Sequence, residues 1–281
     1  MTTKIIRKTL EEAKDLPFAE LDFSDKNLVH LEDMTRMWDM NNITRLTLAH
    51  NKLTEIPSNI AYLVNLEILN VFNNDLVDVP DLWKLKKLRI LNLGMNQLHN
   101  FKVPTGSNLF PMMEILDLSY NNLTDETFTE GFFTIESLRA LYLSDNELEY
   151  LPPQIKQLFN LRILALRDNQ LADVPQEIGE LSNLRELHLQ GNRLQVLPPQ
   201  IGHMDFLSPR AILKLDSNPW VPPIEDQLVL GVSHVIEYVR SDTYRYLFGR
   251  HMQANVPPPE KSERGSRRLT RKNSKASLNG R

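Results

Sequence analysis

Apolar residues recur along most of this chain in one fixed phrase, Leu-x-x-Leu-x-Leu-x-x-Asn-x-Leu. One copy reads Leu66, Leu69, Val71, Asn74 and Leu76. In the middle of the phrase apolar residues alternate with others, which is the period of a short strand with one buried face. Each copy therefore predicts a strand that ends in a turn at the asparagine.

The asparagines of this phrase divide the chain into units of similar length. They are Asn51, Asn74, Asn96, Asn121, Asn146, Asn169, Asn192 and Asn218, at spacings of 23, 22, 25, 25, 23, 23 and 26 residues. This is the pattern of leucine-rich repeats, whose units bury their apolar faces by stacking on one another. We expect each asparagine side chain to hydrogen-bond backbone groups that the turn leaves unpaired.

The second half of most units has the pattern Leu-Pro-x-x-Ile-x-x-Leu, as in Leu151 to Leu158. Proline fixes φ and lacks an N–H donor, which favours a 3₁₀ or polyproline stretch over a second sheet. The sequence therefore predicts an α/β leucine-rich-repeat solenoid. It would be a curved horseshoe with a parallel β-sheet on the concave face and the proline-containing stretches on the convex side.

Both ends of such a stack need a cover. Residues 3–15 predict an amphipathic helix with Ile6, Leu10 and Ala13 on one stripe. Residues 221–250 predict a capping helix with a break near Ser241. The aromatic residues expected to pack in this cap are Tyr238, Tyr244, Tyr246 and Phe248. The predicted divisions are an N-terminal helical cap (1–20), the repeat solenoid (21–220), a C-terminal capping region (221–255) and a disordered basic tail (256–281).

Two segments depart from the repeat phrase, residues 99–112 and 124–137. The first has a displaced proline and an added glycine, and the second lacks the Leu-Pro pair. Insertions in a solenoid emerge as loops on one face. We favour tolerated drift of the repeat over a binding loop.

Charge is unevenly distributed. Residues 256–281 contain eight Lys or Arg and two Asp or Glu, a net charge of +6, so residues 1–255 carry −10 of the total −4. The chain has no cysteine, which excludes disulfides and thiolate zinc sites. It has no apolar stretch long enough to span a bilayer and no recognisable signal peptide. We therefore expect a cytoplasmic protein.

Motifs for catalysis are missing from the sequence. It contains no phosphate-binding glycine-rich loop, no Gly-x-Ser-x-Gly and no His-Glu-x-x-His, and its seven histidines lack metal-ligand spacing. His188 and Glu186 on one strand, or Asp145 and Asp168 in neighbouring turns, supply too few ligands for a metal. We expect a non-enzymatic protein without cofactor or metal.

Side chains that point outward from the strands line the predicted concave face and can carry a binding function. Exposed aromatic and arginine side chains are typical of interface hot spots, and small neighbours leave room for a partner. The predicted partner-binding residues are Phe72, Asn92, Asp117, Tyr120, Tyr142, Asp145, Arg167, Asp168 and His188.

The basic tail contains two candidate phosphorylation sites. Thr270 follows Arg267-Arg268-Leu269, and Ser274 follows Arg271-Lys272-Asn273, as in substrates of basophilic kinases. The same cluster also fits a nuclear-import or anionic-surface segment, or simply a solvated tail.

Several longer runs resemble the Ras suppressor family of intracellular leucine-rich-repeat proteins. They are LNLGMN at 91–96, LRALYLSDN at 138–146, LRDN at 166–169, GVSHVIEY at 231–238 and YLFGRHMQAN at 246–255. The resemblance covers residues 1–255, and the segment after the repeats is its most distinctive part. The tail and residues 99–112 diverge from the family.

The resemblance implies a non-enzymatic adaptor at focal adhesions. Such proteins bind the last LIM domain of the adaptor PINCH, and through it integrin-linked kinase and parvin, and they dampen Ras signalling. It implies a monomer before partner binding, with no nucleic-acid or membrane-spanning role. The alternative function is a regulatory subunit or scaffold for a phosphatase or a Ras-family GTPase.

Overall fold

The computed structural model describes residues 2–106, 109–254 and 257–261. Helix α1 (Thr2–Lys14) comes first. The strands that follow are β1 (Ala19–Asp22), β2 (Ile43–Thr47), β3 (Ile68–Asn70), β4 (Ile90–Asn92), β5 (Ile115–Asp117), β6 (Ala140–Tyr142), β7 (Ile163–Ala165), β8 (Glu186–His188) and β9 (Ile212–Lys214). The C-terminal helices are α2 (Pro222–Leu230), α3 (Val232–Arg240) and α4 (Asp242–Ala254).

These strands form one parallel sheet in which every strand pairs with its neighbour in the sequence, from β1 to β9. The middle residue of each short strand faces inward, and the register places these leucines side by side, as Leu69 beside Leu91 and Leu91 beside Leu116. All three are fully buried. The predicted solenoid fold is confirmed.

The proline-containing halves of the repeats form short 3₁₀ segments on the other side of the core. In Pro153–Gln157 the N–H of Ile155 donates to the carbonyl of Pro152 at 3.0 Å, and Leu158 donates to Ile155 at 3.0 Å. Ile155 and Leu158 point into the core and are fully buried. Proline thus begins a turn that buries two apolar residues without forming a second sheet.

The asparagine side chains link adjacent repeats, as predicted. The Asn169 Nδ2 donates to the carbonyl of Leu166 at 3.1 Å and to that of Leu143, one repeat earlier, at 2.9 Å. Its Oδ1 accepts the N–H of Leu148 at 3.2 Å. Since Asn169 is buried, this amide satisfies backbone groups that water does not reach.

The residue before each of these asparagines has left-handed backbone geometry, with φ between 54° and 72°. The positions are His50, Asn73, Met95, Tyr120, Asp145, Asp168, Gly191 and Ser217. Sequence analysis missed this feature because residues of many types occupy the position. Three predicted site residues occupy this position: Tyr120, Asp145 and Asp168. A left-handed backbone is strained in residues other than glycine and persists only where the surrounding structure holds it, so the direction of each side chain is fixed.

Helices cover both ends of the stack. The predicted stripe of α1, Ile6, Leu10 and Ala13, is buried. The C-terminal cover is three helices rather than one, because the chain breaks at Gly231 as well as at Ser241. Gly231 has φ +126°, a conformation that favours glycine.

The aromatic residues of the C-terminal cover are not all packed. Tyr244 is fully buried, with Tyr238 and Phe248 half-buried against it. Tyr246, however, is 70% exposed, so the prediction that it packs in the cap is wrong. It lies on the outer face of α4 and contacts the guanidinium of Arg250 instead.

The two irregular segments pack against each other. The Thr129 hydroxyl donates to the carbonyl of Val103 at 2.7 Å, and a Cβ on Gly131 would lie only 2.0 Å from the carbonyl oxygen of Pro104. Their aromatic side chains Phe101, Phe110, Phe132 and Phe133 are buried. This pair of insertions is an extension of the core.

Part of the predicted tail contacts the repeats. The carbonyl of Pro259 and the ammonium of Lys261 both bind side chains of the solenoid. Residues 262–281, which include Thr270 and Ser274, lie outside the described residues.

Candidate protein-binding surface

The outward side chains of the sheet form three parallel rows. The upstream row is Arg45, Ile68, Ile90, Ile115, Ala140, Ile163, Glu186 and Ile212. The central row is Thr47, Asn70, Asn92, Asp117, Tyr142, Ala165, His188 and Lys214. The downstream row, just before the turns, is Ala49, Phe72, Gly94, Ser119, Ser144, Arg167, Gln190 and Asp216.

In the first half of the central row the side chains bind their own strand ends. The Oδ1 of Asn92 accepts the N–H of Gly94 at 2.9 Å, and the Oδ1 of Asp117 accepts that of Ser119 at 2.9 Å. These predicted site residues therefore hold the backbone in place while the rest of each side chain faces the open side of the sheet.

Tyr142 follows Asp117 in the central row and is half-buried. Burial raises the pKa of its hydroxyl, and the negative charges of Glu186 and Asp117 raise it further. Tyr142 therefore presents a neutral hydroxyl in acidic surroundings. The next position is the buried Ala165, which separates Tyr142 from His188 in the row.

His188 follows Ala165 in the central row. Its Nε2 is 3.6 Å from the Oε2 of Glu186, which is longer than a hydrogen bond. The pair belongs to the same strand, β8, and adds polar atoms to the surface beyond Tyr142.

Four predicted site residues meet around one guanidinium group. Arg167 Nη2 lies 2.7 Å from Asp145 Oδ2 and donates to the Tyr120 hydroxyl at 2.9 Å. Its Nε lies 3.1 Å from Asp168 Oδ2. The hydrogen bond to Asp145 is the main cause that raises the pKa of Arg167. We call Tyr120, Asp145, Arg167 and Asp168 the Arg167 cluster.

The Arg167 cluster is held rigidly on the concave face. It spans consecutive repeats, and its arginine is only 39% exposed. Arg167 is bound before any partner arrives, so less side-chain entropy is lost on association. The single guanidinium pairs with both carboxylates and offsets the charge of one of them.

Phe72 is not part of this cluster. It lies four strands from Arg167 in the downstream row, about 19 Å at the usual strand spacing. Its ring packs edge-on against His50, with ring centroids 5.5 Å apart, and covers Gly94. The structure thus brings together Tyr120, Asp145, Arg167 and Asp168 with Tyr142 nearby, and leaves Phe72 and Asn92 at the other end of the face.

The isoleucines of the upstream row belong to the same surface, although the predicted site residues do not include them. Ile68, Ile90 and Ile115 are partly exposed side by side, and Ile163 is also partly exposed but is separated from them by the buried Ala140. Their repeating position before each inner leucine is the sequence signal that could have identified them. The concave face therefore combines an apolar row with polar and aromatic rows, as interfaces do.

Two features are absent from the described ranges, residues 2–106, 109–254 and 257–261. Within them, no helix combines the length and apolar character needed to cross a membrane. Within the same ranges, no group of three or more His, Asp or Glu side chains is placed to hold a metal ion.

Known proteins similar to this chain share its repeats. A family model described as a leucine-rich repeat region matches residues 98–221. Ras suppressor protein 1 of Homo sapiens is 50% identical over 270 residues, covering 96% of this chain and 97% of the relative, and that of Mus musculus is 49% identical with the same coverage. The plant peptide hormone receptor RGFR1, solved in complex with RGF2, is 25% identical with a TM-score of 0.53. That match covers 66% of this chain and 30% of the receptor chain.

Proposed function

The chain belongs to the Ras suppressor protein family, and we propose from this that it is a non-enzymatic adaptor that binds a LIM domain of a PINCH-type protein. Through that protein it would join integrin-linked kinase and parvin at cell–matrix adhesions in the cytoplasm, and modulate Ras signalling. The proposed binding surface is the concave face.

One observation carries the choice of surface: the Arg167 cluster and Tyr142 lie beside an unbroken parallel sheet with a row of partly exposed isoleucines. Aromatic and arginine anchors next to apolar area are the usual centre of a protein interface. The sheet is rigid, so the anchors keep their spacing when the partner docks.

The acidic body also suits such a partner. Asp117 and Glu186 lie near Tyr142, and residues 1–255 carry a net charge of −10. A LIM domain with basic side chains beside its exposed apolar residues would complement this face in both charge and polarity.

A regulatory subunit for a phosphatase or Ras-family GTPase is the alternative function. The same concave face would then bind a different globular partner. Affinity purification of the intact protein followed by mass spectrometry separates the two. The proposal expects a LIM protein with integrin-linked kinase, and recovery of a phosphatase catalytic subunit without a LIM protein would contradict it.

Calorimetry with a purified LIM domain tests the surface. We expect Tyr142→Ala to weaken binding by at least about tenfold, or ~1.4 kcal/mol, as an anchor residue does. Tyr62→Ala is the matched control, because Tyr62 is 63% exposed on a 3₁₀ segment opposite the sheet. Equal losses in both variants, or none in Tyr142→Ala, would place the interface elsewhere.

Arg167 needs a milder substitution than charge reversal. Because Asp145 and Asp168 both contact its guanidinium, Arg167→Glu would place three carboxylates together and destabilise the fold. Arg167→Gln keeps polar contacts and removes the charge. We expect it to weaken LIM binding while the melting temperature falls only slightly, since a partly exposed ion pair contributes about 0.2–1 kcal/mol.

A further inference from the structure

A second candidate binding site lies away from the concave face, at the turns that follow the strands. Arg193 stands directly after Asn192, and it is the one charged residue that the structure buries among those it describes. The equivalent residue of the previous repeat is Gln170, which is half-buried. A buried guanidinium is costly unless its donors are satisfied, so its partners show what the site recognises.

The Arg193 guanidinium reaches two repeats and one distant segment. Its Nε donates to the carbonyl of Gln170 at 3.0 Å, and its Nη2 lies 3.5 Å from Glu149 Oε2. Its Nη1 donates to the carbonyl of Pro259 at 2.8 Å, across 66 residues of sequence. The shortest of these three contacts is thus the one to a proline carbonyl.

Glu149 supplies the second half of the site. Its Oε1 lies 2.5 Å from the Lys261 ammonium, while its other oxygen faces Arg193. The backbone is fixed here as well, because the N–H groups of Glu149 and Tyr150 donate to Asp125 Oδ1 at 2.9 and 3.2 Å. The Glu149 carboxylate and the Arg193 guanidinium therefore bind two points on the same short segment, the Lys261 ammonium and the Pro259 carbonyl.

The segment itself has the composition of a peptide ligand. Residues 257–261 read Pro-Pro-Pro-Glu-Lys, and of these only Pro259 is half-buried, while the others are exposed. A run of prolines favours the polyproline II conformation, whose carbonyls have no internal partners and which loses little entropy on binding. An arginine that donates to the last proline carbonyl and a glutamate that pairs with a following lysine would select such a segment.

We propose that Glu149 and Arg193 form a binding site for a proline-rich peptide with a lysine two residues after its last proline, and that residues 257–261 occupy this site in the free protein. The segment acts as a built-in ligand, so an external peptide of this type must displace it. Displacement frees residues 257–261 from the side of the solenoid.

A peptide titration of the full chain tests this inference. The probe is the synthetic peptide NVPPPEKS, which matches residues 255–262, followed by amide NMR signals of Glu149, Gln170 and Arg193. An opened variant carries Pro257→Gly, Pro258→Gly, Pro259→Gly and Lys261→Ala. Because the built-in ligand competes for the site, we expect the peptide to bind the parent at least about tenfold more weakly than the opened variant.

Matched controls assign the effect to the site. In the opened variant, Glu149→Gln should weaken peptide binding several-fold, whereas Glu147→Gln, an exposed carboxylate two residues earlier, should leave it unchanged. A peptide with glycines in place of the three prolines should bind more weakly than the parent peptide. The proposal is overturned if the opened variant shows no shifts at these amides, if it binds no better than the parent chain, or if Glu149→Gln has no effect.

Discussion

The Tyr244 hydroxyl hydrogen-bonds both backbone groups of Leu197: it donates to the carbonyl oxygen at 2.6 Å and accepts the amide N–H at 2.9 Å. Tyr244 belongs to α4 and Leu197 to the repeat that begins at β8, so one side chain ties the C-terminal cover to the solenoid. Both residues are fully buried. The phenol replaces the hydrogen bonds that water cannot supply there.

Removal of this hydroxyl should destabilise the fold. In Tyr244→Phe the ring still fills its place, but the N–H and C=O of Leu197 lose their partner, at a cost of about 1–3 kcal/mol. Denaturant unfolding measures the difference. Tyr246→Phe is the matched control, because Tyr246 is mostly exposed and its variant should unfold like the parent. Equal stability of the two variants would show that the Tyr244 hydroxyl contributes nothing.

The same tyrosine predicts how stability depends on alkaline pH. Burial raises the pKa of Tyr244 well above its ordinary value, and the hydrogen bond from Leu197 opposes this only in part. In the unfolded chain Tyr244 titrates near pH 10, about the value of a free tyrosine. The stability that Tyr244 contributes to the fold is therefore intact below that pH and falls as the pH rises above it. As the pH rises from about 10 to about 11, the unfolding free energy should fall more steeply in the parent than in Tyr244→Phe. Parallel curves would contradict the assignment.

The repeat asparagine and its inner leucine should both be essential to the stack. Asn169→Ala leaves backbone groups of two repeats unpaired and should cost roughly 1–3 kcal/mol. Leu166→Ala opens a cavity in the core and should cost about 2–5 kcal/mol. Thermal melts test both. Val77→Ala, at an exposed position, is the control for the leucine. If Asn169→Ala and Leu166→Ala melted at the same temperature as this control, the assignment of both side chains to the interior would be wrong.

Periodicity explains why so much of this architecture follows from the sequence alone. Asn169 and Leu166 recur at fixed offsets, and each offset has one structural meaning in a repeat stack. The contacts that escaped prediction are those that occur once. The burial of Arg193 depends on Pro259, which lies 66 residues away, and no local pattern reports that distance.

The break at Gly231 and the exposure of Tyr246 have a similar origin. The apolar stripe that predicts a helix is recognised over many residues. A single glycine with positive φ does not disturb this stripe in the sequence, although the chain changes direction there. Tyr246 is separated from Tyr238 by the second break, at Ser241, and falls on the outer face of α4. The sequence predicted all four residues of the Arg167 cluster as candidates for partner binding, but it could not predict that they pair with one another, which depends on the left-handed turns at Tyr120, Asp145 and Asp168.

The packed insertions give a prediction about glycine. A methyl group on Gly131 would collide with backbone atoms, 2.0 Å from the Pro104 oxygen and 2.4 Å from the Val103 oxygen. Gly131→Ala must therefore push the two segments apart, and we expect it to cost at least about 1–3 kcal/mol, as overpacking does. Gly249→Ala is the control, because nothing lies within 4 Å of its added carbon and it sits in α4.

In chemical denaturation Gly249→Ala should instead stabilise by about 0.5–1 kcal/mol, the usual gain for alanine over glycine inside a helix. Opposite signs for the two variants would support the packed arrangement of residues 99–112 and 124–137. A neutral Gly131→Ala would mean that these segments separate easily and are loops after all.

Truncations at three positions should separate the C-terminal cover from the tail. A chain that ends after residue 221 loses the buried side chains Ile224, Val235 and Tyr244 and exposes the last repeat, so we expect it to aggregate or melt partly. A chain that ends after residue 261 keeps every described contact and should melt like the parent. A chain that ends after residue 256 removes the carbonyl that Arg193 binds.

The cut after residue 256 is therefore the informative one. If residues 257–261 only follow the surface, it should behave like the cut after 261. Because they satisfy a buried guanidinium, we expect the unfolding free energy to fall by about 0.5–1.5 kcal/mol, with water taking over part of the lost hydrogen bond. LIM-domain binding should survive both cuts, since the concave face is untouched. Loss of that binding on removal of residues 262–281 alone would assign the partner surface to the basic tail.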